Sequence, residues 1–503
     1  MADTPISFAK LTQVRYDFAV KRGLTLLILF AIACSYGISH GRNKNDRRLR
    51  FGFNPSNTPP LLYQFENESM PIATGGLIYE VSVAIAEDLG RDYEIVRTPR
   101  KLIPLKFEKN KVDVICHNSI RWNHAFNGTA EWSRPLFSYA NVLVATKPIL
   151  FETLDQVSDA SVGTVENYVY ADLESLFKGK TLRRDDSINV VANVKKLLDD
   201  SVDYVVMSEI EFSFYRKTYP QLYKSKFSID KTDIQCSLSK KSSLTMARLN
   251  QTIDRLKKRD VFKKIYDRYA DPKTAPEPFS YGLNSNDSPP FVFFEKRAAG
   301  LEVKGGLFFD IGLEIGKKLN RPVNFVLLPR GRLDSRLAEG AIEMVCYDNE
   351  AWAGVYADKY FWSQPIFRQI DYVVSIKDGK NNNVKTIADL KGKKLGTVLH
   401  FVYFTLTPYF QDGSIIREDA GSGAANIEKL NAGRVPFIIL NNLEYNYYKD
   451  KDARLQKAPF EVSPVDVKCA VSKKSDLKIE KINAVISDLM KTGRMQKIFS
   501  AHH

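Results

Sequence analysis

Cysteine, histidine and long apolar runs are scarce in this chain, and each scarcity removes a class of protein. Five cysteines in 503 residues are too few for a small scaffold stapled by disulfides. None of the six histidines stands at metal-ligand spacing with a cysteine pair, so neither a metal site nor a cofactor is expected. No apolar run beyond Phe51 is long enough to cross a membrane, which excludes a chain threaded repeatedly through a bilayer. Basic residues are nowhere interleaved with stacking aromatics in one tract, so nucleic acid is not an expected partner.

What remains is globular in character. Hydrophobic residues make up 44% and charged residues 26%, ordinary values for folded protein. The length allows two or three cores. A formal charge of +14 favours anionic partners, although the basic residues are scattered as on a solvated surface.

The chain is organised around a repeat. One stretch reads GGLIYEVSVAIAEDLGRDYEIVRTPR from Gly75, and another reads GGLFFDIGLEIGKKLNRPVNFVLLPR from Gly305. The offset, 305 − 75 = 230, holds without a gap from Phe51/Tyr281 to Cys116/Cys346. All four tryptophans obey it: Trp122 with Trp352 and Trp132 with Trp362. Further on the offset becomes 233, matching Gly163 with Gly396 and Cys236 with Cys469. A period this long is a duplicated domain rather than a solenoid repeat.

In chain order, residues 1–23 are a polar N-terminal region. Residues 24–40 form a membrane anchor or signal segment whose sixteen-residue core, 24–39, carries no charge. That is short of the roughly 20 residues of a comfortable span and close to a secretory signal core. Cys34 lies in AIAC, which resembles the lipobox of bacterial lipoproteins and makes Cys34 a lipidation candidate. An uncleaved anchor, a lipidated cysteine and a soluble product stay open, and each exports the rest of the chain. Residues 41–50 are a basic linker, 51–269 the first domain, 270–279 a Pro-rich spacer and 280–503 the second domain.

Each copy opens with a short strand, an Asn/Ser/Pro loop and an aromatic segment. A helix follows with Ile78, Val81, Ile85 and Leu89 on one face, or Phe308, Ile311, Ile315 and Leu319, at the spacing of an amphipathic helix. It stops at Gly90 or Asn320, the residue types that best tolerate a left-handed cap. A strand, a Pro-Arg turn, a second helix and the strand VDVI or IEMV come next. Extended runs at 137–147 and 367–377 lead to VGTV or LGTV, then a helix, a polar turn, another helix and the strand VDYVVM or VPFIIL. A further extended segment and one amphipathic helix close each copy. The expected fold class is α/β with parallel sheets.

This order of elements resembles the bacterial extracellular solute-binding proteins of the polar amino-acid type, with the two-lobed Venus flytrap or periplasmic-binding fold. The resemblance rests on the Pro-Pro-aromatic loop, the Gly-rich helix entry with Glu80 or Asp310, the VDVI strand, the WSRPLF/WSQPIF segment and LKGKKLGTV. It implies two α/β lobes per copy, joined by two hinge strands placed at 142–147 and 236–241 in copy one. Ligand would bind in the cleft between lobes, closed by hinge motion.

The family's ligand motif implies site residues, with departures. Where the family has Ser/Thr and then an Arg that forks a carboxylate, copy one has Asn118, Ser119, Arg121 and Trp122. Copy two has Asp348, Glu350 and Trp352 and lacks the arginine. The lobe-two helix entry becomes Asn167-Tyr168 and His400-Phe401, and the amine-binding acid becomes Ser208-Glu209 or Asn441-Asn442. Arg121 and Glu209 either hold a zwitterion or stand as solvated rim charges. Trp122 and Trp352 either stack a ring ligand or are buried between lobes. Cys116-His117 is no nucleophile–base pair, because strand neighbours face opposite ways.

Cys116/Cys236 and Cys346/Cys469 are equivalent pairs. In an exported domain the economical reading is one disulfide per copy; the other is four buried thiols. The implied function is non-catalytic: an exported, periplasmic tandem binding protein for a small polar or anionic solute, serving transport or sensing and tethered at its N-terminus. The alternative is a degenerate pair acting as scaffold in an envelope complex. An enzyme is rejected because the two copies occupy the whole chain.

Overall fold

A computed structural model describes residues 48–65, 72–122, 128–271, 273–297, 300–377 and 384–502. The anchor or signal at 24–40, with Cys34, lies outside the described residues. Among those described, no helix is long and apolar enough to cross a membrane.

Each copy folds around one ten-stranded sheet. In the first, Tyr93–Arg97, Leu49–Phe53 and Val114–Asn118 lie parallel at one end. Tyr204–Ser208, Ala160–Val165 and Leu182–Ser187 lie parallel at the other. Two long antiparallel strands, Phe137–Ala145 and Ile229–Ser239, join these halves. Each half with its helices is a lobe. The second copy repeats the order, with Phe367–Ile376 and Val462–Ser472 as the joining strands.

The lobes change over earlier along the chain than the resemblance implies. Phe137, Tyr139 and Asn141 pair with Ile234, Thr232 and Ile229, and Asn141 also pairs with Ser208 of lobe two. The hinge therefore lies at 137–141 and 229–235. The segments expected to hinge, 142–147 and 236–241, lie largely in ladders inside single lobes. Two further expectations are corrected. The polar turns are strands, Leu182–Ser187 and Ile416–Ala420; their charges belong to sheet edges, where charge blocks further pairing. The closing helix is two helices in each copy, Met246–Lys258 with Val261–Ala270 and Ile479–Lys491 with Arg494–Ala501. Left-handed residues Asp260 and Gly493 separate them.

The helix Leu77–Asp88 buries Ile78, Val81 and Ile85, each worth about 1.5–3 kcal/mol. Gly90 and Asn320 take the left-handed conformation expected of caps. Gly76 and Gly306, which open the two equivalent helices, have φ of 103° and 126°, and a Cβ would meet backbone carbonyls of Leu61 and Phe291 at 2.7 and 2.5 Å. Disulfides join Cys116 to Cys236 and Cys346 to Cys469, tying the innermost lobe-one strand to its neighbouring joining strand.

The domains meet through their first lobes. Phe65 sets its ring edge-on to Phe325 at 5.9 Å, and Lys317 pairs with Glu87. From the spacer, Glu277 gives its carbonyl to Arg321 Nε at 2.9 Å.

Candidate ligand clefts

The first interlobe cleft encloses about 70 Å³. At about 10–15 Å³ per water that is room for a handful of waters. The Pro-Arg turn delivers its principal charge. Arg100 donates through Nη2 to Trp122 O at 2.7 Å, and its guanidinium lies 5.3 Å from the Tyr168 ring centre. It forms no ion pair with any described carboxylate. Burial pulls its pKa below the ordinary arginine value, yet an arginine stays charged.

The opposite lobe supplies Glu211. It closes a capping box at the helix Glu209–Thr218: Ser208 donates its N–H and Oγ to Glu211 Oε2 at 3.0 and 2.7 Å, and Glu211 N–H returns to Ser208 Oγ. Burial raises the Glu211 pKa, and the Ser208 bonds oppose the rise. His117 stacks on Tyr139 with ring planes 10° apart. Its pKa falls to about 4 through burial and the Arg100 charge, so it is neutral at pH 7. Its buried Nε2 has no hydrogen-bond partner among the described residues.

Side chains close this cleft directly. Tyr168 donates to Asn57 Oδ1 at 2.8 Å and accepts from Asn54 Nδ2 at 3.1 Å. Tyr215 donates to Thr58 Oγ1 at 3.1 Å. The Tyr168 loop is held by Arg184, which donates to Tyr168 O at 2.9 Å; Arg417 does the same for Phe401 in the second copy, at 3.0 Å.

The second cleft encloses about 50 Å³ and has the same skeleton with other charges. Arg330, equivalent to Arg100, donates through Nη2 to Asp348 Oδ1 at 2.7 Å and pairs with Asp334 at 3.2 Å. Tyr347 replaces His117 and packs on Phe291 and Phe308, each 4.6 Å away. Its hydroxyl donates to Gln369 Oε1 at 2.8 Å, and Gln369 Nε2 donates to Asp371 Oδ1 at 2.9 Å. Glu444, equivalent to Glu211, bonds across the cleft to Ser288. Burial raises Asp371 to about 8 and Glu444 to about 7.

The residues implied by the family motif divide. Asn118, Trp122 and Tyr168 line the first cavity, and Trp352 and His400 line the second. The others line neither. Ser119 is buried behind Asn118 and accepts from Arg121 N. Arg121 sits at the rim, donating to Lys231 O at 2.9 Å with Asp172 3.8 Å away. Glu209 is spent on Lys224 at 2.9 Å. Asn167 is an exposed left-handed turn residue. Asp348 is fully buried behind Arg330, and Asn442 caps backbone of the joining strand, accepting from Ile370 N. Neither Arg121 nor Glu209 lines the first cavity.

Arg100, Glu211, His117 and Asp371 were missed. The signals were present: Pro-Arg recurs at the offset of 230, and Ser208-x-x-Glu211 and Asn441-x-x-Glu444 are capping boxes in both copies. Among the described residues no cluster could hold a metal ion.

Residues 49–272 match the family model of bacterial extracellular solute-binding proteins, family 3. No curated protein matches the chain by sequence. Among solved structures, a mutant of ArgBP from T. maritima is 21% identical, covering 46% of this chain and 96% of that one, with a TM-score of 0.39. The B. pertussis BvgS periplasmic domain is 13% identical over 91% of this chain and 90% of that one, TM-score 0.36. An ancestral arginine-binding protein bound to glutamine is 24% identical over 45% and 97%, TM-score 0.37.

Proposed function

From a first domain that matches the family model of bacterial extracellular solute-binding proteins, family 3, and a second that repeats its architecture, we propose a non-catalytic tandem binding protein. It is exported and tethered by its N-terminal segment, and its first cleft closes on a small zwitterionic solute for transport or sensing. One observation carries this reading: Arg100 enters the cavity without a carboxylate partner, while Glu211 lines the same cavity from the other lobe. A planar guanidinium is the donor best matched to a carboxylate, and Glu211 with the cavity's asparagines accepts from an ammonium. His117 Nε2 adds a further polar group in need of a partner.

The test is a thermal-shift screen of the full chain against amino acids and small organic anions. A solute at a hundred times its Kd stabilises the protein by about 2.7 kcal/mol. A stabilising zwitterion supports the reading, and a panel without one contradicts it. A second reading, a scaffold in an envelope complex, is favoured by the direct side-chain bonds across both clefts.

A further inference from the structure

The two clefts differ by a consistent set of charge changes. Asn57, Pro104, Asn118 and Asn141 of the first domain correspond, at the offset of 230, to Asp287, Asp334, Asp348 and Asp371. Glutamate is kept at the fifth place, as Glu211 and Glu444. Around Arg100 the first cleft therefore has one carboxylate. The second cavity is lined by two, Asp371 and Glu444, and three more, Asp287, Asp334 and Asp348, surround Arg330.

Arg330 does not neutralise all of them. Its guanidinium is engaged by Asp348 and Asp334 and also donates to Tyr347 O at 3.3 Å. Asp371 and Glu444 line the cavity and form no ion pair with any described residue. Asp371 is 5% exposed. Its Oδ1 accepts from Gln369, no described residue donates to its Oδ2, and the residue lines the cavity. A carboxylate oxygen in a cavity wall that no neighbouring donor satisfies calls for one from a ligand. Tyr347, Trp352, Phe401 and Tyr403 form the wall around it, and aromatic faces attract cations.

We propose that the second cleft binds a compact organic cation, a primary amine without a carboxylate, between Asp371 and Glu444 against the Tyr347 and Trp352 rings. The first cleft cannot do this, because Asn141 stands where Asp371 does and Arg100 repels a cation. The second rejects a carboxylate ligand, because Arg330 is already paired and the surrounding acids oppose a further anion.

Protons compete for the same two carboxylates. The groups facing Asp371 are Glu444 and Tyr403 from lobe two, Tyr347 from lobe one, and Gln369 of its own strand, which donates to it. With Asp371 at about 8, an amine displaces a proton below that pH. Its apparent affinity then rises about tenfold per pH unit between roughly pH 6 and 8.

The experiment is calorimetric titration of the full chain with n-propylamine and, as its anionic counterpart, propionate. Propylamine is expected to bind more tightly at pH 8 than at pH 6. Asp371→Asn, which installs the first domain's residue, is expected to weaken it at least tenfold, and Glu444→Gln to weaken it as well. Near-ultraviolet circular dichroism of each variant checks that the fold is kept. The proposal is overturned if propylamine gives no saturable heat at pH 8. It is equally overturned if propylamine affinity is unchanged in both variants.

Discussion

Arg330 donates to Asp348 Oδ1 at 2.7 Å in the floor of the second cleft. The first domain has Arg100 and Asn118 at these two places, so the same guanidinium is neutralised in one copy and available in the other. Duplication kept the skeleton while the charges diverged.

Breaking this pair tests its structural weight. Asp348→Ala leaves the buried Arg330 paired with Asp334 at 3.2 Å, with Asp287 nearby. Stranding a buried charge costs on the order of 3 kcal/mol. Chemical denaturation is expected to show the second domain weakened by about that amount and the first unchanged.

The second domain is expected to lose stability with rising pH. Asp371 and Glu444 have folded pKa values raised to about 8 and about 7 by burial. Above the ordinary carboxylate range the folded state binds more protons than the unfolded chain, so stability falls as pH rises towards 8. The loss is on the order of a few kcal/mol. Denaturation midpoints at pH 5 and pH 8.5 check the sign, and Asp371→Asn is expected to flatten the dependence.

Each disulfide closes a long loop, with sequence separations of 120 and 123. In the chain-entropy account a loop of that size contributes about 4–5 kcal/mol. Replacing Cys116 and Cys236 together by serine is expected to lower the first domain's transition and spare the second. Digestion without reduction should yield the linked Cys116–Cys236 and Cys346–Cys469 peptides; unlinked peptides contradict the pairing.

Much of the fold was legible because it depends on local pattern. The helix faces at Ile78, Val81 and Ile85, the left-handed stops at Gly90 and Asn320, and the matched cysteines all follow from periodicity or repetition. Leu182–Ser187 was not legible as a strand, since a charged sheet edge lacks the apolar alternation that marks one. The hinge was misplaced because a strand crossing between lobes looks the same along its whole length, and only its pairing partners show where it crosses. The site was half legible. Tyr168 and His400, expected from the family's helix entry, and Trp122 and Trp352, expected as stacking or buried aromatics, line the two cavities. Arg100 was passed over because the motif seeks its arginine after the VDVI strand, whereas here the turn before it fills the cleft. Distance along the chain misled where distance in space decides.

The most direct measurement is calorimetric titration of the full chain with the best zwitterion from the screen, comparing Arg100→Ala with Arg121→Ala. A charged hydrogen-bonding group is worth about 1.5–3 kcal/mol. Arg100→Ala is therefore expected to weaken binding roughly 10- to 100-fold, and Arg121→Ala, a rim change, to leave it nearly intact. Binding that survives the loss of Arg100 and fails with Arg121 would contradict the assignment of the first cleft.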